Sequence, residues 1–543
     1  MNSRRRFVQR LGAGALGPLV LSACAESPTA GAASGPDTGG PAEGLAAQGA
    51  ADTAGTATHD TAADLSATTA DTPDLWAALR ALLQGAVLTP TGPTAQDYAS
   101  ARLLYNTRFD SIYPQAIARC HNASDVASAL TFARKHALPF AIRGGGHSYA
   151  GYSTSTGLVI DTRLLNQITV LATPNSVRIG AGCILIDVYQ ALLDQGLLLP
   201  GGSGATVGIA GHTLGGGYGL SARQFGMLCD RLTGVSIVTA DGQLRVCNAQ
   251  NHSDLFWASR GGGGGSFGIV TDLTFNALTI PKAISWFSLQ WPWSQAAQVV
   301  EAWQQWAPTA PDALTSLCHL FAGQEYGQAP SVSVVGQFFG TAAACQQALQ
   351  PLLQVGKPGA PVILDETFGN LALLFAGCDT FAACHLQPLG KLPRETYRAR
   401  SAYVTTPLPA AGVAALVTAM EIRHQGKPMG AVLLDAYGGA IGHLPADATA
   451  FVHRNVLYSA QFVAIGHSDD SATADAANFA WLNDIYAALQ PFVAKQTYQN
   501  YVDAALPDWS SRYFGANYAK LQAVKAKYDP QDVFQFAQSV RLV

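Results

Sequence analysis

Hydrophobic and polar positions alternate with two different periods over residues 116–275. Residues 125–136 and 185–195 carry their hydrophobic side chains on one helical face, which predicts two amphipathic helices. Short hydrophobic runs flank these helices and predict β-strands at 139–142, 158–161, 176–180, 235–239 and 244–247. The alternation predicts a mixed α/β domain rather than an all-helical or all-β one.

A second region, about residues 282–497, has strand-like runs such as 331–335 and 431–434, with helical segments such as 295–306 between them. This pattern predicts an antiparallel sheet that is covered by helices on one side and open on the other. The open face of such a sheet can form the wall of a ligand pocket. We therefore expect this region to bind a small-molecule substrate.

The N-terminus, residues 1–24, has the pattern of an export signal. Arg4, Arg5 and Arg6 precede a weakly hydrophobic stretch of small residues. The paired arginines resemble a twin-arginine signal, which exports proteins from a bacterial cytoplasm. Residues 21–24 resemble a lipobox, which would place a lipid anchor on Cys24, and an ordinary cleaved signal with a chance cysteine is the alternative. Both interpretations predict a periplasmic or cell-surface protein.

Composition separates a tether from the folded part of the chain. Residues 25–74 contain almost no large hydrophobic side chain, so we expect a disordered tether there and ordered structure from a helix at about 75–83. Over the 543 residues the formal net charge is −4, which argues against a nucleic-acid partner. Beyond the extreme N-terminus no run has the length and hydrophobicity of a membrane-spanning helix, so membrane contact is expected only through the lipid anchor.

Three glycine clusters, at 143–148, 211–219 and 260–268, each lie next to a predicted strand. Glycine lets backbone N–H groups converge on a phosphate without Cβ clashes. A single cluster would be typical of a flexible loop. Three clusters in one domain favour a long, phosphate-bearing cofactor.

Other chemistries are disfavoured by the context of their motifs. Residues 12–17 match the G-x-G-x-x-G dinucleotide pattern, but no strand precedes them. Residues 264–268 match the G-x-S-x-G hydrolase turn, but the strand-like run 269–275 follows where a helix is required. We find neither a Walker motif nor an H-E-x-x-H or paired C-x-x-C pattern, so no metal site is expected.

Residues 139–151 resemble the pyrophosphate loop of FAD-linked oxidases of the berberine-bridge-enzyme type. These enzymes belong to the vanillyl-alcohol-oxidase and p-cresol-methylhydroxylase (PCMH) superfamily. Further blocks of the family match in order, and the resemblance covers residues 76–543. It implies an α+β fold with a two-subdomain PCMH-type FAD-binding domain at 75–281, a substrate domain at 282–497 and a segment at 498–543 that returns to the FAD-binding domain. The antiparallel sheet of the substrate domain, backed by helices, would then lie over the flavin ring.

The resemblance implies one covalent bond to FAD. In the family, the histidine at the position of His147 binds the 8α-methyl group of the flavin, and some members add a second bond through a cysteine, where this chain has Gly204. Val207 matches a position where a small side chain admits O2, which favours an oxidase over a dehydrogenase. The same blocks imply further cofactor-binding residues, namely Arg143, Gly144, Gly145, Gly146, Ser148, Gly208, Gly211, His212, Gly215, Gly216, Gly217, Gly219, Gly268, Ile269, Val270 and Asn500.

Catalytic residues are also implied by the resemblance. Tyr498 and Asn500 form a Y-x-N motif like the one beside the flavin, and Tyr498 is the expected acceptor of the substrate hydroxyl proton, with Tyr501 as the alternative. Tyr437 matches a second pocket tyrosine, and Asp435 resembles an acidic residue of the sugar oxidases in this group. A free phenol has a pKa of about 10, so a catalytic tyrosine has to be activated by its surroundings.

The predicted function is oxidation of an alcohol or hemiacetal, such as a carbohydrate, with O2 as electron acceptor and H2O2 as by-product. One alternative is a tailoring oxidase or dehydrogenase for a secondary metabolite. Another is a flavin-containing binding protein without turnover.

Among the nine cysteines, Cys183 is expected to be a buried small hydrophobe. Cys378 and Cys384 are the best candidates for a disulfide, although their proximity in sequence could be chance.

Overall fold

The computed structural model describes residues 75–323, 329–426 and 429–543. The export signal, Cys24 and the predicted tether at 25–74 lie outside the described residues. Within these three ranges, no helix has both the length and the hydrophobicity to cross a bilayer.

The described residues form three main sheets and a two-stranded ladder. The strands are β1 Ala86–Leu88, β2 Ala116–Arg119, β3 Phe140–Arg143, β4 Leu158–Asp161, β5 Ile168–Val170, β6 Ser176–Gly180, β7 Leu197–Leu198, β8 Leu232–Val238, β9 Leu244–Cys247, β10 Ile269–Asn276, β11 Leu278–Thr279, β12 Ile284–Trp291, β13 Leu314–Phe321, β14 Ser331–Phe338, β15 Val362–Glu366, β16 Thr396–Val404, β17 Gly430–Ala436 and β18 Tyr458–Gly466.

Helices connect and cover these strands. They are α1 Leu75–Arg80, α2 Ala95–Ala101, α3 Ala123–Lys135, α4 Leu185–Leu193, α5 Ile209–Leu214, α6 Ala222–Phe225, α7 Ser253–Ala258, α8 Ala296–Trp306, α9 Ala342–Ala348, α10 Gln350–Leu353, α11 Phe368–Phe375, α12 Ala410–Gly426, α13 Ala472–Leu489, α14 Trp509–Phe514 and α15 Tyr518–Tyr528.

The first sheet has the order β1-β2-β4-β3, with β4 parallel to both of its neighbours. The helix predicted at 125–136 is α3, which connects β2 to β3. It begins after Asn122, whose side-chain oxygen accepts a hydrogen bond from the Asp125 backbone N–H at 2.9 Å. Val126 and Leu130 are fully buried in the core that α3 shares with this sheet. The sheet therefore holds β3, and the first glycine cluster that follows it, in a fixed place.

The second sheet is antiparallel, with the order β5-β6-β10-β8-β9. Its central strand, β10, begins directly after the third glycine cluster. Ser266 is therefore followed by a strand rather than a helix, which confirms that the G-x-S-x-G match is not a hydrolase turn.

The third sheet lies within the predicted substrate region, and its seven strands are antiparallel in the order β15-β12-β14-β13-β17-β18-β16. Helices α8, α12 and α13 cover one face, where Trp303 and Leu482 are buried against the strands. The prediction of an antiparallel sheet with helices on one side is confirmed.

The C-terminal residues pack against the glycine clusters. The Lys525 amine has no exposed surface and donates hydrogen bonds to the Ser266 carbonyl at 3.1 Å and to the Asp529 carboxylate at 2.6 Å.

The predicted disulfide between Cys378 and Cys384 is present, and Cys183 is buried as expected. Helix α1 ends at Arg80, earlier than the predicted end near residue 83, because the chain tightens into a turn at Leu82.

Candidate active site

A cavity of about 440 Å³ lies between the three glycine clusters and the open face of the seven-stranded sheet. Glycines of each cluster form one side of it. On the other side, strands β13, β17 and β18 contribute every second residue, as the side-chain period of a strand requires. These sheet residues are Leu317, His319, Leu433, Asp435 and Gln461.

The first glycine cluster and the loop before α5, which contains Gly208, approach each other at backbone distance. A Cβ atom on Gly145 would lie 2.2 Å from the Gly208 nitrogen, and one on Gly208 would lie 2.4 Å from the Gly145 nitrogen. Gly146 has a φ of +74°, which a side chain would strain. These glycines are therefore required by the packing of the two loops, and the loops present their backbone to the cavity.

His147 follows these glycines and lines the cavity. Its Nε2 atom lies 2.8 Å from the Thr206 hydroxyl, and its ring stacks on Tyr105 with centroids 4.1 Å apart. Burial lowers the pKa of His147 to about 3. The imidazole is therefore neutral at physiological pH and fixed in its plane by two neighbours.

The second glycine cluster holds Tyr498. The Tyr498 hydroxyl oxygen accepts hydrogen bonds from the backbone N–H groups of Gly217 at 2.9 Å and Tyr218 at 3.1 Å, and from the Asn500 side-chain amide at 3.0 Å. Burial raises the pKa of Tyr498 to about 12, and these three donors act in the opposite direction. Gly215 has to be glycine because its Cβ would lie 2.0 Å from the Asn500 amide oxygen.

Asp435 lies on β17 at the sheet wall of the cavity and is 7% exposed. Burial raises its carboxyl pKa to about 7. A carboxyl with this pKa changes its protonation state near neutral pH, as a general base requires. Gln461, on the neighbouring strand, donates a hydrogen bond to the Tyr149 hydroxyl at 3.0 Å.

The other predicted tyrosines occupy different places. Tyr501 lines the cavity, stacks on Tyr149 at 5.5 Å and meets Tyr498 edge to face at 5.0 Å. Tyr437 is fully buried behind the cavity wall, where its ring stacks on Tyr218 at 4.8 Å. The tyrosine that lines the cavity at this point is Tyr218.

Most of the predicted cofactor residues line the cavity. This set comprises Gly144, Gly145, Gly146, His147, Ser148, Val207, Gly208, Gly211, His212, Gly219, Gly268, Val270 and Asn500.

The remaining predicted cofactor residues lie behind the cavity wall. Arg143 is fully buried and donates hydrogen bonds to the Ala101 and Ser153 carbonyls, so it braces the loop from behind. Ile269 is a core residue of β10, and Gly215, Gly216 and Gly217 shape the turn that supports Tyr498.

Sequence reasoning missed Tyr105, His319 and Gln461, which all line the cavity. His319 and Gln461 lie inside strands, and a polar side chain between hydrophobic neighbours was the available signal. Tyr105 lies in a loop, where no periodicity marks it.

Comparison with known proteins agrees with this geometry. Residues 114–248 match a family model described as an FAD binding domain, and residues 497–541 match one described as berberine and berberine like. The chain is 35% identical to an uncharacterized FAD-linked oxidoreductase, YgaK, of Bacillus subtilis, over 84% of this chain and 97% of that protein. It is 29% identical to a monolignol oxidoreductase of Arabidopsis thaliana, over 76% of this chain and 81% of the relative.

Two solved structures have the same fold. One is the Physcomitrella patens BBE-like 1 protein, with a TM-score of 0.79 and 30% identity over 86% of this chain and 99% of that one. The other is a chitooligosaccharide oxidase, with a TM-score of 0.76 and 26% identity over the same shares.

Proposed function

The chain belongs to the berberine-bridge-enzyme-like family of FAD-linked oxidoreductases, and we propose that it oxidises an alcohol or hemiacetal carbon with O2 as the final acceptor. In this reaction the substrate loses a hydride from carbon and a proton from oxygen. The overall balance is one carbinol and one O2 giving one carbonyl and one H2O2. The observation that carries the proposal is Asp435, a buried carboxyl with a pKa of about 7 on the cavity wall that faces the glycine loops.

The residues that line the cavity fit FAD. Gly144, Gly145 and Gly146 in one loop and Gly262 and Gly263 in another present backbone to the cavity and would hold the phosphates. The flavin, when bound, supplies the two-electron acceptor that protein side chains lack. The open sheet face would then hold the substrate.

We propose that FAD is attached through His147 alone. Thr206 occupies Nε2, so Nδ1 is the nitrogen left for the bond. Attachment forms one nitrogen–carbon bond and removes one hydrogen from nitrogen and one from the flavin methyl group, with both electrons passing to O2 to give H2O2. Gly204 has no sulfur atom to offer a second bond.

Two side chains divide the proton chemistry in our proposal. Asp435 accepts the hydroxyl proton of the substrate, because its pKa of about 7 makes it a base at neutral pH. Tyr498, with a pKa of about 12, stays protonated and donates to the substrate oxygen as charge develops there. The assignment of the proton acceptor to Tyr498, as the sequence favours, is the alternative, and the pH profile of flavin reduction separates the two.

Val207 supports the choice of O2 as acceptor, because a small side chain lines the cavity there. The test is Val207→Leu, studied by stopped flow. We expect slower reoxidation by O2 with little change in anaerobic reduction. Equal reoxidation rates in the two proteins would remove this support.

The substrate class we favour is a carbohydrate with a free hemiacetal. Asp435 and Gln461 put polar groups on the sheet face, and one neighbour in structure is a chitooligosaccharide oxidase. The aromatic side chains of Tyr149, Tyr397 and Tyr501 favour a second candidate, oxidation of an aromatic alcohol in a tailoring reaction. A monolignol oxidoreductase among the relatives is consistent with this candidate.

The experiment is anaerobic mixing of the purified holoenzyme with cellobiose, chitobiose and coniferyl alcohol. Bleaching of the oxidised flavin band identifies a reducing substrate, and admission of air should return the band with one H2O2 per turnover. If none of these or of a wider alcohol panel bleaches the flavin, the protein is a flavin-containing binding protein and the proposed function is wrong.

Export is proposed from the sequence alone. The twin-arginine-like start and the lipobox at 21–24 support secretion from a bacterial cytoplasm with a lipid anchor on Cys24. Fractionation of cells that express the full chain or Cys24→Ala tests this. The full chain should sediment with membranes and the variant should not. Membrane-free recovery of both would favour an ordinary cleaved signal.

A further inference from the structure

The His147 imidazole is held by a residue that no cofactor motif contains. Tyr105 lies in the loop after α2, and its ring stacks on the imidazole with an interplanar angle of 20°. The Tyr105 backbone N–H also donates to the Gly146 carbonyl at 3.2 Å. Tyr105 therefore contacts both the ring of His147 and the backbone just before it.

Tyr105 is held in turn by the start of β16, in the predicted substrate region. The Glu395 backbone N–H donates to the Tyr105 carbonyl at 3.1 Å, and the Thr107 N–H donates to the Glu395 carbonyl at 2.9 Å. Arg394 donates to the Leu104 carbonyl at 2.6 Å and forms an ion pair with Asp110. These bonds connect the loop that carries Tyr105 to β16, an edge strand of the seven-stranded sheet.

The Glu395 side chain reaches the same tyrosine. Both of its carboxyl oxygens are buried, and after burial itself the nearby Glu395 carboxyl is the largest cause that raises the pKa of the Tyr105 phenol. Burial raises the pKa of Glu395 to about 8, so the carboxyl is mostly protonated at pH 7 and adds no buried charge. Since the backbone of Glu395 is bonded to Tyr105 and Thr107, its side chain is held beside the Tyr105 phenol.

We propose that Tyr105 and Glu395 are positioning residues for flavin attachment: Tyr105 fixes the plane of the His147 imidazole, and Glu395 fixes Tyr105. The inference rests on the proposed bond at His147. Bond formation needs the attacking nitrogen aligned with the methyl carbon, and small displacements are costly in rate. Since Glu395 belongs to the substrate region, attachment follows docking of that region, so only a fully folded chain acquires its covalent cofactor.

The test follows covalent incorporation over time in full-length protein from riboflavin-limited cells after FAD is added. Flavin that survives acid denaturation measures attachment, and native absorbance measures total bound FAD. The variants are Tyr105→Leu, Tyr105→Phe, Glu395→Leu and the double Tyr105→Phe/Glu395→Leu. Glu301→Leu is the matched control, because Glu301 is an exposed carboxylate on α8.

Tyr105→Leu should attach FAD about tenfold more slowly or worse, with a lower Tm because a buried ring is lost. Tyr105→Phe keeps the ring, so its attachment rate should fall between wild type and Tyr105→Leu while total bound FAD and Tm stay at wild-type values. Glu395→Leu should match Tyr105→Phe in attachment rate, and the double variant should be no slower than either, because both substitutions break one contact. Glu301→Leu should behave as wild type.

Three results would overturn the inference or its premise. Wild-type rates in Tyr105→Leu and Glu395→Leu, with no attachment in His147→Ala, would leave the proposed bond intact and remove the positioning role. A parallel loss of bound FAD and Tm in the conservative variant Tyr105→Phe would show a merely structural role. Release of flavin from denatured wild type would instead contradict attachment at His147 itself.

Discussion

Burial acts on Asp435 and Tyr498 in the same direction but with different chemical results. It raises the carboxyl pKa of Asp435 to about 7, within reach of physiological pH, and that of the Tyr498 phenol to about 12, where it stays protonated. In the proposed function, one cavity holds a proton acceptor and a proton donor, and both proposed roles come from the surroundings of the side chains.

Asp435→Asn should stabilise the protein while it removes activity. The folded-state pKa of about 7 lies above the ordinary 3.8, so the folded chain binds this proton more tightly and wild-type stability falls as pH rises between these values. Asparagine does not ionise. We expect the stability advantage of the variant to grow by about 2 to 3 kcal/mol from pH 5 to pH 8. Urea unfolding of both proteins measures it, and a pH-independent difference would contradict the assigned pKa.

At the scale of elements, the glycine loops and the strands that carry them make the site. β3 ends where the first cluster begins, and β10 begins where the third cluster ends. β10 is the central strand of its sheet, and β3 is an edge strand that pairs with β4, so the loops next to them are anchored to sheets. Backbone contact between loops replaces side-chain packing here.

Gly145→Ala should separate the first glycine cluster from the loop that contains Gly208. Its Cβ would lie 2.2 Å from the Gly208 nitrogen, a backbone atom that cannot move alone. We expect a loss of FAD binding and a destabilisation of about 1 to 3 kcal/mol, as overpacking usually causes. Differential scanning calorimetry and flavin titration measure both. Gly359→Ala is the control, since its Cβ has ordinary contacts only, and equal behaviour of the two variants would contradict the backbone-contact interpretation.

The elements could be predicted where hydrophobic periodicity was strong. Helix α3 and strands β3, β4 and β6 lie within a few residues of their predicted bounds. The cavity wall was harder, because His319 and Gln461 look like ordinary strand residues until the pairing of β13, β17 and β18 places them on one face. Tyr105 could not be found at all, since it reaches the site through contacts with His147 and with Glu395, which lies almost 300 residues away in the chain.

At the scale of the whole molecule, the C-terminal residues close the FAD-binding region. They place Tyr498 against the second glycine cluster and Lys525 under the third. The pair of Lys525 and Asp529 has no exposed surface, so both charges depend on each other and on the carbonyl and N–H groups around them.

Lys525→Ala should therefore be severe. It leaves the Asp529 carboxylate buried without its cation, which typically costs about 3 to 5 kcal/mol. A thermal melt should show a large fall in Tm, with loss of FAD as the closing segment loosens. Lys357→Ala, at an exposed lysine, should leave Tm unchanged. A fall of similar size in both variants would show that the loss of a lysine, rather than of the buried pair, matters.

The most direct test of the account is the pH dependence of anaerobic flavin reduction by the sugar or alcohol that bleaches the wild-type enzyme. We predict that the rate rises with pH through about 7, the pKa of Asp435. This rise of the rate with pH should be absent in Asp435→Asn, and the rate should be lower by about 100-fold or more. In Tyr498→Phe the rate should fall, but its rise near pH 7 should remain. A rise that remains in Asp435→Asn and is absent in Tyr498→Phe would contradict the account and make Tyr498 the proton acceptor.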